Sequence, residues 1–105
     1  MEFDELFKFV KEEHKRLMEF YGFEDKEHIT YPMVLKVMEE LGELSEAILH
    51  SKSLQRNEKL NSKKVKLEEE FVDVLLTTLL LAENFDIDIR NELRKKIEKI
   101  KNRNY

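Results

Sequence analysis

The sequence predicts an all-α fold, a four-helix bundle formed by a single domain over residues 1–105. Three observations carry that expectation. Charged residues make up 40% of the chain and hydrophobic ones 41%, the balance of long amphipathic segments. Only two Gly and one Pro occur in 105 residues, too few turn-formers for a sandwich or a barrel. Apolar residues recur three and four apart over long stretches, which is the period of an amphipathic helix.

The first helix is expected from about Phe3 to Tyr21, with Phe3, Leu6, Phe7, Val10, Leu17, Phe20 and Tyr21 at helical spacing. His14 falls on or near this apolar face. A lone histidine there is more often a hydrogen-bonded core or interface residue than a ligand, so it receives no site role. Gly22 ends the helix, and FEDKEHI (23–29) reads as a connector. Thr30 or Tyr31 then caps a second helix with Pro32 in its first turn, where a missing N–H costs nothing. That helix continues to about Leu49. Residues 50–62, HSKSLQRNEKLNS, have no clear period and read as a polar loop with room for one helical turn. The third helix starts near Ser62 or Lys63 and runs to about Asn84. DIDI holds the turn into a fourth, which reaches roughly Asn102.

Helix three is apolar nearly all round from Phe71 to Ala82 (FVDVLLTTLLLA). Such a helix is expected to be buried on all sides, more than four short-chain helices can cover. A second copy of the chain is the natural cover, giving a homodimer or a homotetramer made as a dimer of dimers.

Several function classes are excluded or disfavoured. Without Cys there are no disulfides, no thiol chemistry and no Cys-ligated zinc. Met1 to Phe9 is interrupted by Glu2, Asp4, Glu5 and Lys8, unlike a signal peptide, and VLLTTLLLA is too short to cross a bilayer. A cytoplasmic protein with no membrane partner is expected. The net charge of −4 argues against a nucleic-acid partner. The charge is uneven, however. From Arg90 onward Arg90, Arg94, Lys95, Lys96, Lys99, Lys101 and Arg103 stand against Glu92 and Glu98. Cations there complement a helix C-terminus and also suit a wall facing a polyanionic ligand.

The chemistry lies in the acids. In VMEELGELSEAI (37–48) Val34, Val37, Leu41, Leu44 and Ile48 are expected to share one face. Glu39, Glu43 and Glu46 lie opposite, with Glu40 at the boundary. Glu40 and Glu43, three apart, are surface neighbours. On helix three the polar positions Lys66, Glu70, Asp73, Thr77 and Asn84 form one stripe. There Asp73, inside the buried helix, must be protonated, paired or coordinating a cation. Either pair alone fits a solvated face, and Asp73 alone fits an ion pair with another helix. Antiparallel packing of helices two and three would instead bring four carboxylates together. Two unit charges about 4 Å apart repel by roughly 4 kcal/mol at an effective dielectric near 20, so such a cluster calls for counter-charge. Hard divalent cations with oxygen ligands supply it. With no Cys or His in either motif, Mg²⁺ is favoured over zinc, with Mn²⁺ a possible substitute.

These motifs, EELGELSEAI (39–48), EEEFVDVLLTTLLLAENFDID (68–88) and the tail KKIEKI (95–100), resemble the MazG-like nucleotide pyrophosphohydrolases of the all-α NTP pyrophosphatase superfamily. The family pattern is EExxE on one helix and ExxD on a later one, followed by a basic C-terminal helix. The likeness extends upstream to HITYPMVLKVMEELGEL and covers the chain from His28 onward. It implies hydrolysis of a (d)NTP between the α and β phosphates, to (d)NMP and pyrophosphate. It places Glu40, Glu43, Glu70 and Asp73 on the family's Mg²⁺ ligands. Glu39 falls on the adjacent acid, for a second metal or for orienting the attacking water, and Lys99 on a basic position associated with substrate phosphates. All five acids count as catalytic candidates, and sites near a subunit interface are implied. Where many members carry asparagines that help hold the sugar or base, this chain has Leu80 and Ile97. Two other readings fit the scaffold: a phosphoribosyl-ATP pyrophosphohydrolase-type enzyme, and a non-catalytic helical oligomer whose acids are a solvated face or a metal-binding cluster.

Overall fold

The computed structural model describes residues 1–52 and 57–105, and the side chains outside 53–66. Its elements are four helices: α1 (Phe3–Tyr21), α2 (Lys26–Lys52), α3 (Asn57–Asn84) and α4 (Ile89–Lys101). Among the described residues there is no strand, and no helix is long and apolar enough to cross a membrane. The all-α expectation holds.

Two helix ends close in the same way. Gly22, at φ 70°, sits in the left-handed region; its N–H donates to the Glu19 carbonyl and that of Phe23 to Met18. At the end of α3 the left-handed residue is Asp86, at φ 56°, with Asp86 N–H on Glu83 and Ile87 N–H on Ala82. Both are Schellman closures, which satisfy carbonyls the helix leaves over. Asp is among the few non-glycine residues that tolerate this conformation. Its carboxylate also meets the Lys26 ammonium at 2.5 Å, tying the end of α3 to the start of α2. Asp88 then caps α4 by accepting from the Asn91 N–H.

The start of α2 corrects the sequence reading. The helix begins at Lys26, not after Thr30, and Asp25 is its cap: Oδ1 accepts from the His28 N–H at 2.9 Å. Pro32 therefore lies inside the helix and gives no N–H to the turn before it. Ile29, assigned to the connector, is among the most buried side chains at 1% exposure. The expected loop at 50–62 is also shorter, because α2 runs through Lys52 and α3 starts at Asn57; its remainder, 53–56, lies outside the described residues.

Helices α2 and α3 form the main packed pair, α1 lies against α3, and α4 touches α3 only sparsely. The pair is antiparallel. Asn84, at the end of α3, bonds Lys26 and Thr30 near the start of α2, while Glu70 meets Glu40 and Glu43 further along. The inward face of α2 is Ile29, Met33, Glu40, Leu44 and Ala47. This is rotated from expectation: Val37 and Ile48 are half-buried, but Val34 and Leu41 are exposed and Glu40 is inside, not at a boundary.

The opposite side of α2 carries a second apolar surface. Tyr31, Leu35, Met38, Leu41 and Leu49 are each more than half exposed. Phe71, Val72 and Leu75 of α3 are 55%, 52% and 55% exposed, so within one chain α3 is not buried all round. On α4 no residue is buried, and Leu93, Ile97 and Ile100 remain open. The radius of gyration is 16.9 Å, against about 13 Å for a compact domain of this length. The single chain leaves much of its apolar surface uncovered.

Candidate metal centre

The packing of α2 on α3 brings three of the four proposed ligands together. Glu40, Glu43 and Glu70 each offer a carboxylate oxygen, all within 4.8 Å of one another. The local reason is spacing. Glu40 and Glu43 stand one turn apart on α2, and Glu70 is on the inward face of α3, at the level where the antiparallel helices meet.

Burial gives the cluster its character. Glu40 is 6% exposed and Glu70 4%, whereas Glu43 is open to solvent. Glu40 Oε1 accepts an ion pair from the Lys36 ammonium at 3.1 Å. Glu40 Oε2 and Glu70 Oε2 are sealed from solvent and have no hydrogen-bond partner among the described residues. A buried charged oxygen without a partner is costly, and a cation held among these three carboxylates would relieve that cost. The donor set is all carboxylate, which suits a hard divalent ion such as Mg²⁺ or Mn²⁺. The residues present therefore fit the metal that the sequence calls for.

The electrostatics agree. The Glu43 carboxyl is pushed up from its usual value first by the negative charge of Glu40, then by partial desolvation and by the charges of Glu70 and Glu39. Lys36 is pushed up, chiefly by its bond to Glu40. Charge of one sign accumulates here faster than the fold neutralises it.

The other predicted residues lie differently. Asp73 is exposed, at the edge of the α3 face, and is not part of the three-acid group. Its burial was expected and does not occur within one chain; it lines a shallow recess with Glu68, Glu69 and Val72. Glu39 is exposed and pairs with Lys36 at 3.7 Å. Lys99 lies on α4 in a groove of about 430 Å³ with Lys95 and Lys96, a cationic strip lined by no member of the acid cluster. Leu80 is half-buried and Ile97 is 48% exposed.

Sequence reasoning gave Lys36 no role, although its spacing four residues before Glu40 is that of a helical ion pair. His14 behaves as its position suggested. It is 6% exposed and its Nε2 bonds the Asn84 side-chain oxygen at 2.8 Å. Asn84 in turn donates to the Lys26 carbonyl and the Thr30 hydroxyl.

No curated protein and no solved structure matches this chain significantly. The family comparison is different, for residues 23–105 match the model of the MazG nucleotide pyrophosphohydrolase domain. That span contains the whole α2–α3 pair, all five acids and the basic α4, so the chain belongs to the MazG nucleotide pyrophosphohydrolase family.

Proposed function

We propose that this protein is a metal-dependent hydrolase that splits a (d)NTP between its α and β phosphates, releasing (d)NMP and pyrophosphate. The observation that carries the reading is the pair of buried, unpartnered oxygens on Glu40 and Glu70, within a three-carboxylate cluster of a MazG-family chain. Membership of the family supports a pyrophosphohydrolase; the orphaned oxygens support a cation among the acids.

The residues divide the work. Glu40, Glu43 and Glu70 would hold Mg²⁺, with Asp73, one turn from Glu70 on α3, as the fourth carboxylate that the family resemblance implies. When bound there, the ion would supply Lewis-acid charge stabilisation at the phosphates. Glu39, solvent-facing and adjacent, accepts a proton from the attacking water. Water oxygen bonds to the α phosphorus as the bond to the bridging oxygen of the β phosphate breaks. Lys99, with Lys95 and Lys96 beside it, offsets negative charge on the outer phosphates as pyrophosphate departs. No covalent intermediate is needed, because positioning and charge neutralisation carry this kind of reaction.

The open apolar faces of α2, α3 and α4 support a homodimer or homotetramer, in which a second copy covers Leu35 and Met38 on α2 and Phe71 and Leu75 on α3. Sedimentation measures the assembly. A stable monomer at micromolar concentration would overturn that part of the reading.

The decisive assay is pyrophosphate release from a panel of canonical and modified NTPs and dNTPs, with Mg²⁺, Mn²⁺ or EDTA. Metal-dependent formation of monophosphate and pyrophosphate establishes the reaction. Absence of turnover across the panel rejects the (d)NTP reading.

A further inference from the structure

The two oxygens of Glu40 have different surroundings. Oε1 faces the exposed end of Lys36 at 3.1 Å, and Oε2 is sealed from solvent with no partner. The terminal torsion of a Glu side chain is broad, so a free carboxylate twists over a wide range and holds no single ligand geometry. An ammonium held one turn earlier on the same helix removes that freedom. It occupies one oxygen and keeps the other available.

We infer that Lys36 is a positioning residue for the metal centre: its ammonium fixes the Glu40 carboxylate through Oε1, so that Oε2 is presented dry and unpaired to a divalent cation. The inference rests on the metal-site reading above and adds a residue to it. Lys36 acts through Glu40 and need not touch substrate. Lys36 also reaches Glu39 at 3.7 Å, the proposed proton acceptor, and so lies between both acids of the EE pair.

Two effects of opposite sign make this decidable. As an orienting donor, Lys36 strengthens cation binding; partners of metal-ligating groups typically account for about 10–100-fold in affinity. As a mere nearby positive charge, it would repel the cation, and its loss would tighten binding. Mn²⁺ binding to the intact chain, followed by disappearance of the free-ion electron paramagnetic resonance signal, separates the two without requiring turnover. The orienting role predicts that K36M weakens Mn²⁺ binding about 10–100-fold. K36R, which keeps a donor, retains most of the affinity, and K8M, which removes an exposed lysine charge on α1, leaves it unchanged. Helical circular dichroism in EDTA confirms that each variant is folded; K36Q replaces K36M should the latter not fold.

Mn²⁺ affinity in K36M equal to or tighter than that of the parent overturns the inference while leaving the metal site standing. A parent chain that takes up no Mn²⁺ overturns both. The parent's own titration therefore distinguishes the two failures.

Discussion

Two buried polar clusters lie along the same α2–α3 contact, about 15 Å apart given ten residues of helix between Thr30 and Glu40. They differ in one respect. At one end His14, Asn84, Thr30 and the Lys26 carbonyl form a closed set, in which both the oxygen and the nitrogen of the Asn84 amide are bonded. At the other, Glu40 and Glu70 each keep a buried oxygen with no hydrogen-bond partner among the described residues. The first cluster answers its own demands and fixes how three helices meet. The second makes a demand that the protein does not meet by itself, which is the mark of a place prepared for a ligand.

The largest break in that comparison is catalytic. Glu43→Gln or Asp73→Asn is expected to lower pyrophosphate release at least about 100-fold, since a catalytic metal contributes several kcal/mol to charge stabilisation. The association state of the parent is retained, as read by sedimentation, and the metal-free melting temperature of Glu43→Gln holds or rises because one repelling charge is gone. Full activity in both variants would remove these residues from the site. Next is metal addition. A ligand of the folded state present at about 100 times its dissociation constant adds about 2.7 kcal/mol, so with Mg²⁺ in the proposed site differential scanning calorimetry should record a rise that Glu70→Gln lacks.

His14→Ala tests the closed cluster. Leaving the Asn84 oxygen buried without its donor costs about 2 kcal/mol, which lowers the melting temperature by roughly 10 °C in a domain of this size. That loss is the same with and without Mg²⁺; a metal-dependent loss would mean that the two clusters are coupled.

The smallest effect is that of pH. Because Glu43 is raised above its ordinary 4.5, its share of stability is full below that value and is lost as pH climbs through the raised pKa. Asp25, held down by the His28 N–H, and Asp86, held down by Lys26, behave oppositely. Their contributions are present above the ordinary 3.8 and vanish as pH falls through the lowered values. In EDTA the melting temperature should therefore decline as pH rises above 4.5, a limb that Glu43→Gln flattens, and decline separately as pH falls below 3.8.

Much of this was legible in the residues. The bounds of α1 and the ends of α3 and α4 followed from apolar period and from Gly22 and DIDI. The Glu40, Glu43 and Glu70 grouping followed from two spaced motifs and antiparallel packing. The rotation of α2 did not. Its apolar residues occupy two arcs, and a helical wheel cannot say which arc meets α3 and which awaits another surface, so Glu40 was placed at an edge and proved buried. For the same reason Asp73, set in an apolar run, was expected inside and lies outside the single chain. The earlier start of α2 was signalled by Asp25 ahead of Lys-Glu-His, a cap overshadowed by the stronger cue of Pro32. That Asn84 would meet His14, seventy residues away, was beyond any local pattern.

Helix α1 has one more consequence. The family likeness begins at residue 23, yet Val10 and His14 are among the most enclosed side chains of the molecule. The span that matches the family model and the span that shares the packed core therefore have different borders. A fragment cut at the edge of the recognisable domain would keep every acid and strip the amide of Asn84 of its imidazole, so its failures would report a broken scaffold and say nothing about chemistry.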